Sequence, residues 1–168
     1  MVEDKVLDDD DLVAQYRIES HESIAVEAER RIASTTPMQE RIRLRALSLK
    51  DLVESDPSHP DLKAALLERL GPVRAALDEH GGGLEIAHIG TTDEGLHMVL
   101  DLTGACLSCG SAPGTLAGLR SDLEADTEII SIRFSINLLD TFDELGREFV
   151  LAHGGVEFVN PNDIGGSV

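Results

Sequence analysis

Cys106 and Cys109 are the two cysteines of this 168-residue chain, and their spacing is the clearest sign of chemistry in its sequence. They lie in the segment GACLSCGSAPGTL, residues 104–116. Two residues between cysteines allow both sulfur atoms to bind one metal centre, but zinc sites and iron–sulfur clusters generally take four ligands. The pair therefore predicts half of a thiolate metal site.

The sequence on either side places this pair between a strand and a helix. The preceding LHMVLDL alternates apolar and polar residues as a strand does, whereas Leu116, Leu119 and Leu123 recur at helical spacing. A helix N-terminus favours the thiolate form of a nearby cysteine through its dipole. Gly104 and Gly110 lack side chains, so backbone N–H groups can approach the sulfur atoms. We therefore predict that both cysteines ligate metal as thiolates.

A second copy of the same chain is the simplest source of the missing ligands. A two-fold axis brings two identical cysteine pairs together without any further residue type. A cluster held by two ligands from each subunit, at the surface where the subunits meet, can also leave. We expect a homodimer that delivers its cluster rather than one that stores electrons.

The elements around the cysteines predict an α+β fold with the order α-β-β-α-β. LKAALLERL and PVRAALDEH are helical, LEIAHI and LHMVLDL form a hairpin around GTTDEG, and EIISIRFSI is the last strand. This order predicts a three-stranded sheet with helices on one face. The inward-facing residues are predicted to be Leu96, Met98, Leu100 and Leu102 in the hairpin and Ile130, Ile132, Phe134 and Ile136 in the last strand.

Four regions are predicted along the chain. Residues 1–11 are an acidic tail with too little apolar content to fold alone, and residues 12–57 are helical. The turn-rich ESDPSHPD, residues 54–61, is the best domain boundary. Residues 58–136 form the cluster-binding domain, and residues 137–168 are an extension with a helix at LLDTFDELGREFVLAH.

The second N-terminal helix is predicted to be amphipathic. Thr36 is expected to cap it and Gln39 to complete a capping box. Its arginines at positions 41, 43 and 45 are expected to face mostly away from an apolar stripe, which consists of Met38, Ile42, Ala46, Leu49 and Val53. The stripe must pack on this chain's own elements or in a partner's groove, and the sequence leaves both open.

The segment DLTGACLSCGSAPGTL resembles the C-terminal domain of NifU, the Nfu-type domain of iron–sulfur cluster scaffold and carrier proteins. The resemblance covers about residues 60–134 and includes LDEHGGGLEI, which is similar to the family's Leu-x-x-Asp-Gly-Gly followed by a strand. His80 stands where the family usually has Asp, Gly110 where proline is common, and Pro113 falls between the second cysteine and Thr115.

The resemblance implies a fold, a cargo and a site. Cys106 and Cys109 would ligate a 4Fe-4S cluster, and Gly81 and Gly82 would form the turn before the first strand. The cluster would be assembled between two subunits and passed to apo-proteins. The expected function is therefore that of an iron–sulfur cluster scaffold or carrier.

Other functions of the cysteine pair stay open. Zinc is the nearest alternative, held in a dimer or completed within one chain by His88 or His97. A thioredoxin-like dithiol would follow the first strand of a βαβ unit, whereas this pair follows a hairpin. A third alternative is a domain that holds no cluster and serves only for protein contact.

Catalysis is not expected from the remaining motifs. The glycine-rich HGGGLE follows a helix and precedes a strand, which is the reverse of the order in a phosphate-binding loop. Neither a pair of catalytic carboxylates nor a Ser-His-Asp arrangement can be inferred from spacing. We therefore predict that the protein is not an enzyme.

Composition limits the partners and the compartment. A formal net charge of −18 repels nucleic acid and anionic membrane surfaces, and aromatic residues are too few, at 3%, for a base-stacking platform. The first residues, MVEDKVLDDDD, lack the basic-then-apolar order of a signal peptide. We expect a cytoplasmic protein, in which thiols stay reduced and are free to bind metal.

Overall fold

The computed structural model describes residues 9–71, 73–74, 77, 83–103 and 112–164. The helices are α1 (Asp9–Thr35), α2 (Met38–Ala46), α3 (Leu49–Ser55), α4 (Pro60–Leu67), α5 (Ala112–Glu124) and α6 (Glu144–His153), with a 3-10 helix at Ile136–Thr141. The strands are β1 (Gly83–Thr91), β2 (Leu96–Thr103), β3 (Ile129–Ser135) and β4 (Phe158–Val159). Helices and one mixed sheet together confirm the predicted α+β class.

The sheet has the strand order β1-β2-β3-β4. β1 and β2 pair antiparallel as the predicted hairpin, whereas β2 pairs parallel with β3, with α5 between them in the chain. The prediction of three strands is wrong because Phe158 and Val159 pair parallel with Phe134 and Ser135. The C-terminal extension therefore covers the edge that β3 would otherwise expose.

The set of buried residues in β2 agrees with the prediction, whereas the set of buried residues in β3 differs from it in part. Leu96, Met98, Leu100 and Leu102 are all buried in β2. In β3, Ile132 and Phe134 are buried, but Ile130 and Ile136 are exposed. A register shift pairs Leu96 with Ile129 but His97 with Ser131, so Ile129 points inward instead of Ile130. Ile136 lies beyond the end of the strand, in the 3-10 helix.

Helix α5 covers the sheet with the predicted leucine stripe. Leu116, Leu119 and Leu123 are fully buried, and they share one apolar core with Leu62 and Leu66 of α4. Among the described residues, the buried members of this core are aliphatic apart from Phe134. The core fixes the position of α5 relative to the end of β2.

The N-terminal helices differ from the prediction in three details. The helix α1 begins at Asp9, so the last residues of the predicted tail at 1–11 are helical. Pro37 is the N-cap of α2 and makes no side-chain hydrogen bond, so the capping box of Thr36 and Gln39 is absent from α2. The predicted long helix is interrupted because Ser48 caps α3, where its hydroxyl accepts a hydrogen bond from the Asp51 N–H at 3.2 Å.

Helices α2 and α3 pack on the same core as the sheet. Leu44, Leu49, Leu52 and Val53 belong to that core. Glu128, just before β3, accepts hydrogen bonds at 2.6 Å from the Ser48 hydroxyl and from the Leu49 N–H. The turn between α3 and α4 thus connects helices that share one core.

Helix α1 and the C-terminal extension differ in which of their apolar side chains are buried. In α1, Leu12, Val13 and Tyr16 are exposed, and the buried side chains Ala28 and Ile32 lie near its C-terminus. In the extension, the predicted helix divides into the 3-10 helix and α6, which is capped by Asp143, and its buried residues are Leu138, Leu139 and Val150. Within the described segments, no helix combines the length and apolar character needed to cross a lipid bilayer.

Candidate metal centre

Cys106 and Cys109 lie outside the described residues, as do Gly81 and Gly82 of the predicted family motif. The structure describes the residues on both sides of the cysteine segment. Strand β2 ends at Thr103 and helix α5 begins at Ala112. The predicted order of strand, cysteine segment and helix is confirmed at these two ends.

The strand register brings together the described residues that adjoin the two parts of the motif. Gly83, which follows Gly81 and Gly82, pairs with Thr103, which precedes the cysteine segment. The Thr103 side chain occupies the space beside Gly83, because a Cβ on Gly83 would lie 2.5 Å from the Thr103 Oγ1 atom. Gly83 and Thr103 therefore lie at the same end of the hairpin.

The described flanks of the cysteine segment are accessible. Thr103 and Gly114 are exposed, and among the described residues outside the local backbone of α5 no heavy atom lies within 4 Å of the position that a Cβ on Gly114 would occupy. Further along α5, Leu116 and Leu119 are buried. The helix is thus anchored by its apolar stripe, and the N–H groups and dipole at its N-terminus favour anionic ligands such as thiolates.

The two histidines considered for zinc lie at the other end of the hairpin. His97 is six residues from Thr103 along β2, a distance of about 20 Å in an extended strand. Its Nδ1 atom lies 2.8 Å from the Ser131 Oγ atom, and its Nε2 atom lies 3.4 Å from the Thr92 Oγ1 atom. Among the described residues, no group of three or more His, Cys, Asp and Glu side chains could hold a metal ion.

A buried charge cluster around Glu68 is absent from the sequence-based predictions. The Glu68 side chain is fully buried and forms ion pairs with three arginines. Its Oε2 atom lies 3.2 Å from the Nε atom of Arg41 and 3.2 Å from that of Arg45, and its other oxygen contacts Arg74. Arg41 is only 2% exposed and also pairs with Glu29 through its Nη1 atom at 2.6 Å. This cluster links α1, α2 and the residues that follow α4.

The electrostatics of the cluster keep Glu68 and Arg41 charged. Burial alone raises the pKa of Glu68, but hydrogen bonds and charge from Arg74 and Arg41 outweigh burial and hold the pKa below its usual value. The hydrogen bond to Glu29 and that to Glu68 raise the pKa of Arg41 against the effect of burial. Each arginine of the cluster forms an ion pair with Glu68, so we interpret the cluster as structural.

The burial of Arg41 also corrects the predicted orientation of α2. Met38 and Ile42 are exposed instead of forming the inward stripe, although Leu49 and Val53 of the same stripe are buried in α3. The helix turns Arg41 inward because its carboxylate partner lies in the interior. The spacing of arginines within α2 carries no signal of that partner.

Comparison of the chain with protein-family models, with curated proteins and with solved structures finds no match. Any functional inference therefore depends on the chain's own residues and on the arrangement of its described elements.

Proposed function

We propose that this protein is an iron–sulfur cluster carrier of the NifU C-terminal type. Cys106 and Cys109 ligate a 4Fe-4S cluster, two chains share that cluster, and apo-proteins receive it as cargo. The protein acts in the cytoplasm and is not an enzyme. Four thiolates are the usual ligand set of such a cluster, and two chains supply that number.

The pairing of Gly83 with Thr103 is the observation that carries the proposal. It places the start of β1, which follows the glycine-rich turn, beside the end of β2, which precedes the cysteines. In the proposed domain these two stretches form one site. The register brings together the described residues next to these two stretches, and this supports the proposed likeness.

The surroundings of the cysteine segment support a shared and exchangeable cluster. The exposed Thr103 and Gly114 leave its flanks open to a second chain. The two hydroxyl partners of His97 and its distance from Thr103 argue against zinc completed within one chain by that residue. The net charge of −18 favours protein clients over nucleic acid.

Anaerobic reconstitution tests the proposal directly. The full-length protein should hold about four irons and four sulfides per two chains, and it should sediment as a dimer only when loaded. Cys106→Ser and Cys109→Ser should each abolish the visible absorbance of the cluster and leave the far-ultraviolet circular dichroism unchanged. Ser108→Ala, in the same segment, is the matched control and should bind the cluster as the wild type does.

Three results would contradict the proposal. Zinc in place of iron after purification without added metal would favour the zinc alternative. A loaded monomer with full cluster content would exclude the shared site. Cluster binding by either cysteine variant would require a ligand elsewhere in the chain.

A further inference from the structure

A second candidate site lies on the face of the sheet opposite the core. An open cavity of about 400 Å³ is present there, and its lining includes His88, Gly90, Thr92, His97, Arg133 and Ile164. Neither the proposed cluster nor the apolar core uses these side chains. They come from the three long strands, from the hairpin turn and from the segment after β4.

The strand register assembles the polar groups of this cavity on one face. His88 of β1 pairs with Val99 of β2, and Val99 pairs with Arg133 of β3. In the adjacent row, Gly90 pairs with His97 and His97 with Ser131. Residues paired directly across strands project to the same side of the sheet, so both rows line the same surface.

Arg133 lacks a counter-charge within the described residues. Its Nε atom is inaccessible to solvent and has no hydrogen-bond partner there, and no carboxylate of the described residues forms an ion pair with its guanidinium group. A buried donor without a partner costs about 1–3 kcal/mol. The chain has 32 acidic residues, so a shortage of carboxylates does not explain why Arg133 forms no ion pair among the described residues.

The other polar groups of the cavity are suited to the same kind of ligand. His97 is held by the Ser131 and Thr92 hydroxyls, which fixes its ring at the cavity wall. Gly90 leaves space in front of it, because the nearest atom to a Cβ at that position would be the His88 Nε2 atom at 3.8 Å. The residues that line the cavity in the described part of the chain include no Asp or Glu.

We propose that this cavity binds a small organic anion whose carboxylate or phosphate group pairs with Arg133. An arginine fork matches the planar oxygens of these groups, and it would repel a metal cation. A volume of about 400 Å³ lies within the range of small-molecule sites and exceeds the need of a single inorganic ion. The proposal is independent of the cysteine site.

Titration of the full-length apo-protein, followed by nuclear magnetic resonance, tests this site. The probes are sodium phosphate and sodium acetate, each compared with sodium chloride at equal ionic strength. The Arg133 Nε–H signal and the His97 ring signals should shift and saturate with phosphate or acetate but not with chloride. The anion that binds more tightly identifies the ligand as a phosphate or a carboxylate compound.

Two variants remove the site in different ways. Arg133→Met removes the charge and keeps an unbranched stem, and it should weaken the response of His97 at least about tenfold, as expected for loss of a charge-assisted hydrogen bond. Gly90→Val keeps every polar group but fills the space in front of His97, and it should have the same effect. Arg120→Met is the matched control, because Arg120 is on α5 and pairs with Glu124.

The proposal is overturned if neither anion gives a saturable shift in the wild type. It is also overturned if Arg133→Met and Gly90→Val both bind as the wild type does. Because the test uses the apo-protein, its result does not depend on cluster loading.

Discussion

Arg41 and the Nε atom of Arg133 are both withdrawn from solvent, but among the described residues only Arg41 has carboxylate partners. Arg41 pairs with the buried Glu68 and with Glu29, whereas the Nε atom of Arg133 has no hydrogen-bond partner in the described structure. A buried N–H donor needs an acceptor, and the described fold supplies carboxylates to Arg41 but no hydrogen-bond partner to the Nε atom of the half-buried Arg133. The difference separates a structural charge from one that is suited to a ligand.

The surroundings of the two arginines agree with this distinction. Arg41 lies where α1, α2 and the residues after α4 meet, so its ion pairs connect elements that are distant in sequence. Arg133 lies on the outer face of the sheet beside an open cavity. Loss of the Glu68 cluster should therefore affect folding, whereas loss of Arg133 should affect binding.

Removal of residues 1–57 is expected to have the largest effect, because it takes away Arg41 together with helices α1, α2 and α3. The shortened chain loses Leu44, Leu49, Leu52 and Val53 from the core, and each such residue contributes about 1.5–3 kcal/mol. A whole domain is stable by only about 5–15 kcal/mol. We expect an insoluble or unfolded product, measured by solubility and circular dichroism.

A chain that lacks only residues 1–26 is the matched control. It loses the exposed Leu12, Val13, Tyr16 and Val26 but keeps Glu29, the second partner of Arg41. Its free energy of unfolding should stay within about 1 kcal/mol of the wild type. A soluble and folded chain of residues 58–168 would mean that the Glu68 cluster is dispensable, and that the N-terminal helices are a separable adaptor.

Glu68→Gln should destabilise the fold by about 3–5 kcal/mol, because it leaves buried arginines without their shared carboxylate. The Glu68 side chain is fully buried, and those of Arg41 and Arg74 are 2% and 9% exposed. Urea unfolding measures the change. The control is Glu40→Gln, which removes an exposed partner of Arg43 and should have little effect. Equal effects of the two variants would contradict the structural role of Glu68.

Acid should weaken the Glu68 cluster. The pKa of Glu68 is lower in the folded chain than its ordinary value of 4.5, so the unfolded chain binds more protons as the pH falls. The stabilisation is complete above that ordinary value and is lost as the pH falls through the folded-state value. From about pH 5 to stronger acid, the free energy of unfolding should therefore fall further in the wild type than in Glu68→Gln. Parallel pH profiles would show that Glu68 does not contribute.

The elements that position the candidate site follow from local sequence patterns. Alternation predicted the buried face of β2, and the spacing of Leu116, Leu119 and Leu123 predicted α5, because each pattern reports burial on one face of a regular element. The exposed Ile130 was missed because a register shift depends on the neighbouring strand. Strand β4 was missed because two residues carry no periodicity.

The charged sites could not be predicted from the same patterns. Arg41 and Glu68 are 27 residues apart, and only the packing of their helices brings them together. Alternation places Arg133 on the outer face of β3, but the histidines beside it follow from the register of three strands. Local sequence therefore reports which residues are buried, and pairing across the chain decides which charges meet.

Arg133→Met should have the smallest effect on stability, and the sign of that effect distinguishes the two arginines most sharply. Removal of a desolvated donor that has no partner in the described structure relieves a cost, so the free energy of unfolding should stay equal or rise by up to about 1 kcal/mol without added anion. The same substitution at Arg41 should destabilise the protein, because Glu68 would lose a partner.

With phosphate or acetate at saturating concentration, the wild type should gain stability and Arg133→Met should not, since a ligand that binds only the folded chain shifts the equilibrium. Urea unfolding of both variants with and without the anion measures these differences. A loss of several kcal/mol in Arg133→Met without anion would mean that Arg133, like Arg41, is held by the fold itself.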